Sequence, residues 1–206
     1  SAGIHLGTNF IPNGYPIAFP PKVVSYDFDE DEQALPDDVD GDGAADATTL
    51  NQAVGSEDCL YLNIWRPANR HGDLPVIVFV HGGSNVSGYT ADPVYDGAAL
   101  AKAAHAVVVT VNYRLGIFGF LNLPQLKSGV DPSEDSGNFA LLDIIKALKF
   151  VRHNIERFGG DPHRVTLMGQ SAGAIDVYAL LTSPLVVNAH RKLFHRAVPL
   201  SGGISL

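Results

Sequence analysis

Residues 165–181 read VTLMGQSAGAIDVYALL. A short apolar run of strand character meets Gly169-Gln170-Ser171-Ala172-Gly173, and an apolar pattern of helical spacing follows until Pro184 stops it. A G-x-S-x-G match carries meaning only between a buried strand and a helix, and both flank it here. So tight a turn leaves no room for a Cβ two residues before or after the serine, and glycine occupies both places. The turn is predicted to lift the Ser171 hydroxyl out at the carboxyl end of a sheet. There the helix N-terminus and its free N–H groups favour developing negative charge.

Working outward, alternating strands and helices appear on both sides. CLYLNIW from Cys59 alternates like a strand, and LPVIVFVH from Leu74 is a continuous apolar run expected of a strand covered on both faces. YDGAALAKAA reads as a helix, HAVVVTVNY as a second buried strand, and Leu115 to about Ser136 as a long loop. Leu141, Leu142, Ile145, Leu148, Val151, Ile155 and Phe158 recur at helical spacing, and GGDP ends that helix. FHRAVPLSGG begins a last strand. This order specifies an α/β fold with a mostly parallel sheet flanked by helices. Residues 1–56, rich in Pro, Gly and Asp, read as an irregular segment, and 57–206 as part of the α/β body.

The strand ending at His81 runs into Gly82, Gly83 and Ser84. Glycines let the main chain approach a ligand closely, so the N–H groups of Gly83 and Ser84, with that of Ala172 after the nucleophile, form a candidate oxyanion hole. A histidine followed by two glycines is a weak signal alone; the serine turn gives it meaning.

Composition narrows the alternatives. The chain has 206 residues, 46% hydrophobic, and a formal charge of −8. That charge offers no basic footprint for nucleic acid and disfavours an anionic membrane surface. Ten of the 22 acids lie between Asp27 and Asp46, a stretch without Lys or Arg, so the acidity is local. Apolar runs are too short to span a bilayer, and SAGIHLG has no leader pattern, so a soluble, already processed chain is expected. The single cysteine, Cys59, cannot form a disulfide within the chain.

SEDCLYLNIWRP, PVIVFVHGG, VVVTVNYRLGIFGFL, GNFALLDIIKALKFVRHNIERFGGDPHRVTLMGQSAGA and LFHRAVPLSGG together resemble the type-B carboxylesterases, the cholinesterase-like branch of the α/β-hydrolase fold. The resemblance spans nearly all of 56–203, so this chain is similar to the N-terminal portion of such an enzyme. It implies hydrolysis of small carboxylic esters through an acyl-enzyme on Ser171, with oxyanion donors Gly83, Ser84 and Ala172 and no catalytic cofactor. Three departures stand out. Ser84 replaces a third glycine. The usual upstream partner of Cys59 is absent, leaving a thiol or a cross-link to another polypeptide. The family's N-terminal strands are missing or divergent. Some relatives of this kind serve in adhesion as catalytically silent binding proteins; they lose the serine that is kept here.

In this fold the triad acid and histidine follow the serine on later loops. Of His5, His71, His81, His105, His153, His163, His190 and His195, none stands where the family's base would lie. His81 is expected to be structural at its strand end, and His190 and His195 to be surface or packing residues. A serine hydroxyl without a base is a weak nucleophile. The expectation is therefore a split or nicked esterase whose acid and base arrive on a second polypeptide, which also covers the apolar edge of the last strand.

DVDGDGAAD sets Asp38, Asp40 and Asp42 at alternate positions and Asp46 four further on, with Gly43 after the third and the Ala44 carbonyl available between. This is the opening of a calcium loop, although Thr49 stands where a closing bidentate Glu would be. A structural Ca2+ is expected, completed by a carboxylate such as Asp37 or Glu57. A weak site of this kind suits a secreted or periplasmic protein. Removing calcium with a chelator is expected to lower the melting temperature and release bound metal; unchanged values for both would refute the site.

Overall fold

The computed structural model describes residues 4–7, as backbone, and 59–203 apart from 69–71 and 91. The candidate calcium ligands Asp38, Asp40, Asp42, Ala44 and Asp46 lie outside the described residues. A six-stranded sheet runs in the order β1-β2-β4-β3-β5-β6. Its strands are β1 (Ile4–Gly7), β2 (Leu62–Arg66), β3 (Leu74–Val80), β4 (Val107–Val111), β5 (Gly160–Gln170) and β6 (Arg196–Leu200). β4, β3, β5 and β6 are mutually parallel, while β2 joins β4 and β1 joins β2 antiparallel. The mostly parallel sheet read from the sequence is therefore present. β1 adds an edge strand within the stretch read as irregular.

The two faces of the sheet are covered by different helices. Val76, Val78 and Val80 of β3, Val107, Val109 and Val111 of β4, and Val165 and Leu167 of β5 form one core with Ile144 and Leu148 of α3 (Phe139–Asn154) and Val177 and Leu180 of α4 (Ala172–Thr182). The alternate residues Trp65 and Val108 pack with Ile77 and with Ala101 of α1 (Ala98–Ala104) on the other face. This is the strand's twofold side-chain alternation made visible. β3 accordingly alternates buried with half-buried residues, rather than being sealed on both faces as its apolar run suggests. β4 is buried throughout.

This division of the helices sets where a site can form. β3 leaves the sheet toward α1 on one face, and its neighbour β5 leaves toward α4 on the other. Two adjacent parallel strands whose following chains part in opposite directions open a crevice at their carboxyl ends, the usual place for a ligand in an open α/β sheet.

Differences from the sequence reading are local. The long loop contains α2 (Gly116–Phe120), a helix of five residues. GIFGF carries no helical signal. Its turn is set from outside, by the Gly116 N–H donating to Asn85 O (2.6 Å) and by the close approach of Gly119 to the Arg114 carbonyl and Ala140. Arg114 in turn forks onto Asp143 of α3, both N···O distances 2.7 Å. α3 stops at Asn154 and continues as a 3-10 turn, Ile155–Phe158, before left-handed Gly159. β5 begins earlier than RVTLMG predicts, because Gly160 pairs with Leu74 before a register shift resumes at Val165 opposite Val76.

No helix among the described residues is long and apolar enough to cross a membrane. Leu148 is wholly buried between α3 and the sheet. Leu148→Ala is expected to destabilise the protein by about 2–5 kcal/mol, read from urea unfolding of the full-length protein.

Candidate active site

Ser171 is where β5 ends and α4 begins, with φ 54° and ψ −121°. A positive φ is sparsely populated for a residue with a Cβ, so the surroundings must hold it. They do so through the neighbours read from the sequence. A methyl on Gly169 would run into the Gly173 carbonyl, and one on Gly173 into the Val80 carbonyl and, at 2.5 Å, that of His81. The Ser171 N–H donates to Leu200 O of β6 (2.9 Å), and its carbonyl accepts from the Ala174 (2.9 Å) and Ile175 (3.2 Å) amides. Ser171 is nonetheless partly exposed, and its hydroxyl has no hydrogen-bond partner among the described residues.

The loop after β3 lies directly beside it. A methyl on Gly82 would sit 2.9 Å from the Ser171 Cβ and 2.8 Å from the Gln170 carbonyl oxygen. From Gly83 (φ 107°) the chain turns through two left-handed residues, Ser84 (φ 54°) and Asn85 (φ 58°). The Val86 and Ser87 amides close the turn on Gly83 O (2.9 and 3.0 Å). The amides of Gly83, Ser84 and Ala172 donate no backbone hydrogen bond among the described residues. The structure thus brings Gly83, Ser84, Ser171 and Ala172 to the carboxyl ends of two adjacent strands.

Behind this turn is a polar cluster of which sequence reasoning singled out only His81. His81 is 1% exposed, stacked on Tyr113 with ring centroids 4.6 Å apart. Its Nδ1–H donates to Gly82 O (2.7 Å), which leaves Nε2 as a buried acceptor without a partner among the described residues. Burial holds its pKa below the usual histidine value, which favours the neutral ring. The Tyr113 hydroxyl is shared between His81 O (2.8 Å) and Asn85 Oδ1 (3.1 Å), and Asn85 Nδ2 donates to Asp176 Oδ1 (3.1 Å). Asp176, on α4 and 3% exposed, has its pKa raised by burial to about 6, although the bond from Asn85 lowers it. A lone acid in the apolar run AIDVYALL was the available signal.

The remaining described histidines stand elsewhere. His105 caps α1 ahead of β4, His153 bonds to Lys149 O on α3, and His190 is exposed. His163 and His195 face each other at the start of β5 and β6, the opposite end of the strands from Ser171. His195 is exposed, with its backbone N–H donating to Val165 O (2.7 Å), which fits the surface or packing role read for it. None is hydrogen-bonded to Ser171.

Ser84 adopts a backbone that glycine adopts freely, and it contributes an amide that glycine would also supply. Ser84→Gly is expected to stabilise the fold by up to about 1 kcal/mol. Ser84→Val, β-branched at a positive φ, is expected to destabilise it by about 1–3 kcal/mol. Thermal unfolding of both variants tests the pair.

A sequence profile of the carboxylesterase family matches residues 29–205. A fumonisin B1 esterase of Sphingopyxis macrogoltabida is 52% identical over 157 residues, covering 75% of this chain and 28% of that protein. A para-nitrobenzyl esterase of Bacillus subtilis is 46% identical over 71% of this chain and 28% of its own length. The solved structure of a thermophilic PNB esterase superposes with a TM-score of 0.61 at 43% identity, covering 71% of this chain and 29% of the other. The chain therefore spans less than a third of the relatives named here. With a profile match across most of its length and this level of identity, the chain belongs to the carboxylesterase family, on the α/β-hydrolase fold.

Proposed function

We propose that this chain carries the nucleophile and the oxyanion donors of a carboxylic ester hydrolase. The observation that carries the reading is the partly exposed Ser171, held at positive φ beside a loop whose Gly83 and Ser84 amides donate no backbone hydrogen bond among the described residues. The Ala172 amide, first in α4, adds a third donor and the positive end of the helix dipole.

In the proposed cycle Ser171 Oγ attacks the ester carbonyl carbon as a histidine accepts its proton. The carbonyl oxygen becomes an oxyanion held by the three amides. Collapse breaks the bond to the alcohol, which leaves with the proton returned by the imidazole. Water repeats the sequence on the acyl-enzyme and releases the acid. Each donor is preorganised by the backbone, and loss of one typically lowers kcat by about 10²–10³. No cofactor takes part in these steps.

The histidine and its acid are proposed to come from polypeptide outside Ser1–Leu206. His81 is committed to Gly82 O and is buried against Tyr113, and His163 and His195 lie at the far end of the sheet. The relatives' names, fumonisin B1 esterase and para-nitrobenzyl esterase among them, support an ester substrate without fixing its acyl or alcohol part.

The test is covalent labelling of the full-length protein by an alkyl phosphonate, followed by peptide mass spectrometry. Label on Ser171, lost together with ester hydrolysis in Ser171→Ala, is the expected result. Label on another serine, or hydrolysis that survives the substitution, would overturn the assignment.

A further inference from the structure

The two elements that bear the oxyanion donors are joined by one side-chain bond. Asn85 ends the pair of left-handed residues that begins at Ser84, and three different elements hold it. The Gly116 amide at the start of α2 donates to its carbonyl (2.6 Å), the Tyr113 hydroxyl after β4 reaches its Oδ1 (3.1 Å), and its Nδ2 donates to Asp176 Oδ1 of α4 (3.1 Å). Only the last of these ties the turn to the helix that begins with Ala172. Asp176 is itself buried, with Oδ2 lacking a partner among the described residues, in a place where an apolar side chain would pack at less cost.

We propose that Asp176 is a positioning residue for ester hydrolysis: through the Asn85 carboxamide it braces the turn bearing the Gly83 and Ser84 amides against the helix bearing the Ala172 amide. The inference rests on the ester-hydrolase reading above. Donors on two separate elements act together only if their spacing is held before the oxyanion forms, because movement at that moment would spend part of the stabilisation on reorganisation. Two left-handed residues in succession, one of them a serine, do not hold such a turn unaided. The brace supplies the restraint while touching neither substrate nor Ser171 Oγ. Asp176 acts only through the spacing of the oxyanion donors, so its loss falls on the transition state and leaves ground-state binding in place.

The experiment uses Asp176→Ala, Asp176→Asn, Asn85→Gly and the Asp176→Ala/Asn85→Gly double variant of the full-length protein. Ester turnover and the affinity of a trifluoromethyl ketone, whose adduct carries an oxyanion, are measured on each. Asp176→Ala and Asn85→Gly are expected to lower kcat by about 10- to 100-fold, less than outright loss of a donor. KM stays nearly constant and ketone affinity falls in parallel with kcat. The double variant is no worse than either single one, as required of two residues acting through one bond. Asp176→Asn keeps an acceptor for Asn85 Nδ2 and retains most of the activity. If Asp176→Ala does not fold, Asn85→Gly, which permits the positive φ, carries the test with Asp176→Asn.

Wild-type kcat in the folded single variants would overturn the proposal. So would a loss confined to KM, multiplying effects in the double variant, or an Asp176→Asn as impaired as Asp176→Ala. Ser171→Ala is measured alongside. Turnover that survives it sinks the ester-hydrolase reading, whereas an inactive Ser171→Ala beside unimpaired Asp176 variants sinks only the brace.

Discussion

The contact on which the rest of the site depends is the packing of the first turn of α4 against the end of β3, with Gly173 resting on the carbonyls of Val80 and His81. A side chain there would push the helix off the strand. Gly169 meets Gly173 from the strand side in the same way. The serine between them is left with a positive φ, and the strain of that corner is balanced by packing around it rather than relieved. One close approach therefore brings together the end of β3, the start of the β3 loop and the N-terminus of α4. Those are the elements a tetrahedral intermediate must touch in the proposed reaction.

The topology of the sheet makes that contact useful. With α1 on one face and α3 and α4 on the other, the chains leaving β3 and β5 diverge and keep the carboxyl ends of both strands open. The polar residues behind the loop serve a different purpose from the apolar core beneath it. Tyr113, Asn85 and Asp176 give directional bonds to a turn that has no regular secondary structure, where hydrophobic packing alone would specify no single conformation. His81, stacked on Tyr113 and bonded to Gly82 O, belongs to the same cluster.

How much was legible in the sequence varied with the range of the interactions involved. The strand–turn–helix around Ser171, the parallel strands and α3 follow from periodicity and from glycines at fixed offsets, and all are present. α2 escaped because GIFGF becomes helical only through the Asn85 carbonyl and the space between Arg114 and Ala140. The half-buried second face of β3 escaped because an apolar run does not say how fully helices will cover it. Asp176 escaped because its partner, Asn85, lies 91 residues away along the chain.

The sequence by itself determined the α/β class, the family, the strand–turn–helix at Ser171 and the glycines that allow its corner, since each is carried by motifs of residues near one another in the chain. Tertiary structure alone decided which amides remain without acceptors among the described residues, that Gly82 lies against Ser171, and that Asp176 meets Asn85. Those are contacts between segments brought together only when the sheet forms. Local sequence specifies the conformation a segment prefers, whereas the partner of a hydrogen bond across the fold depends on the packing of every element in between.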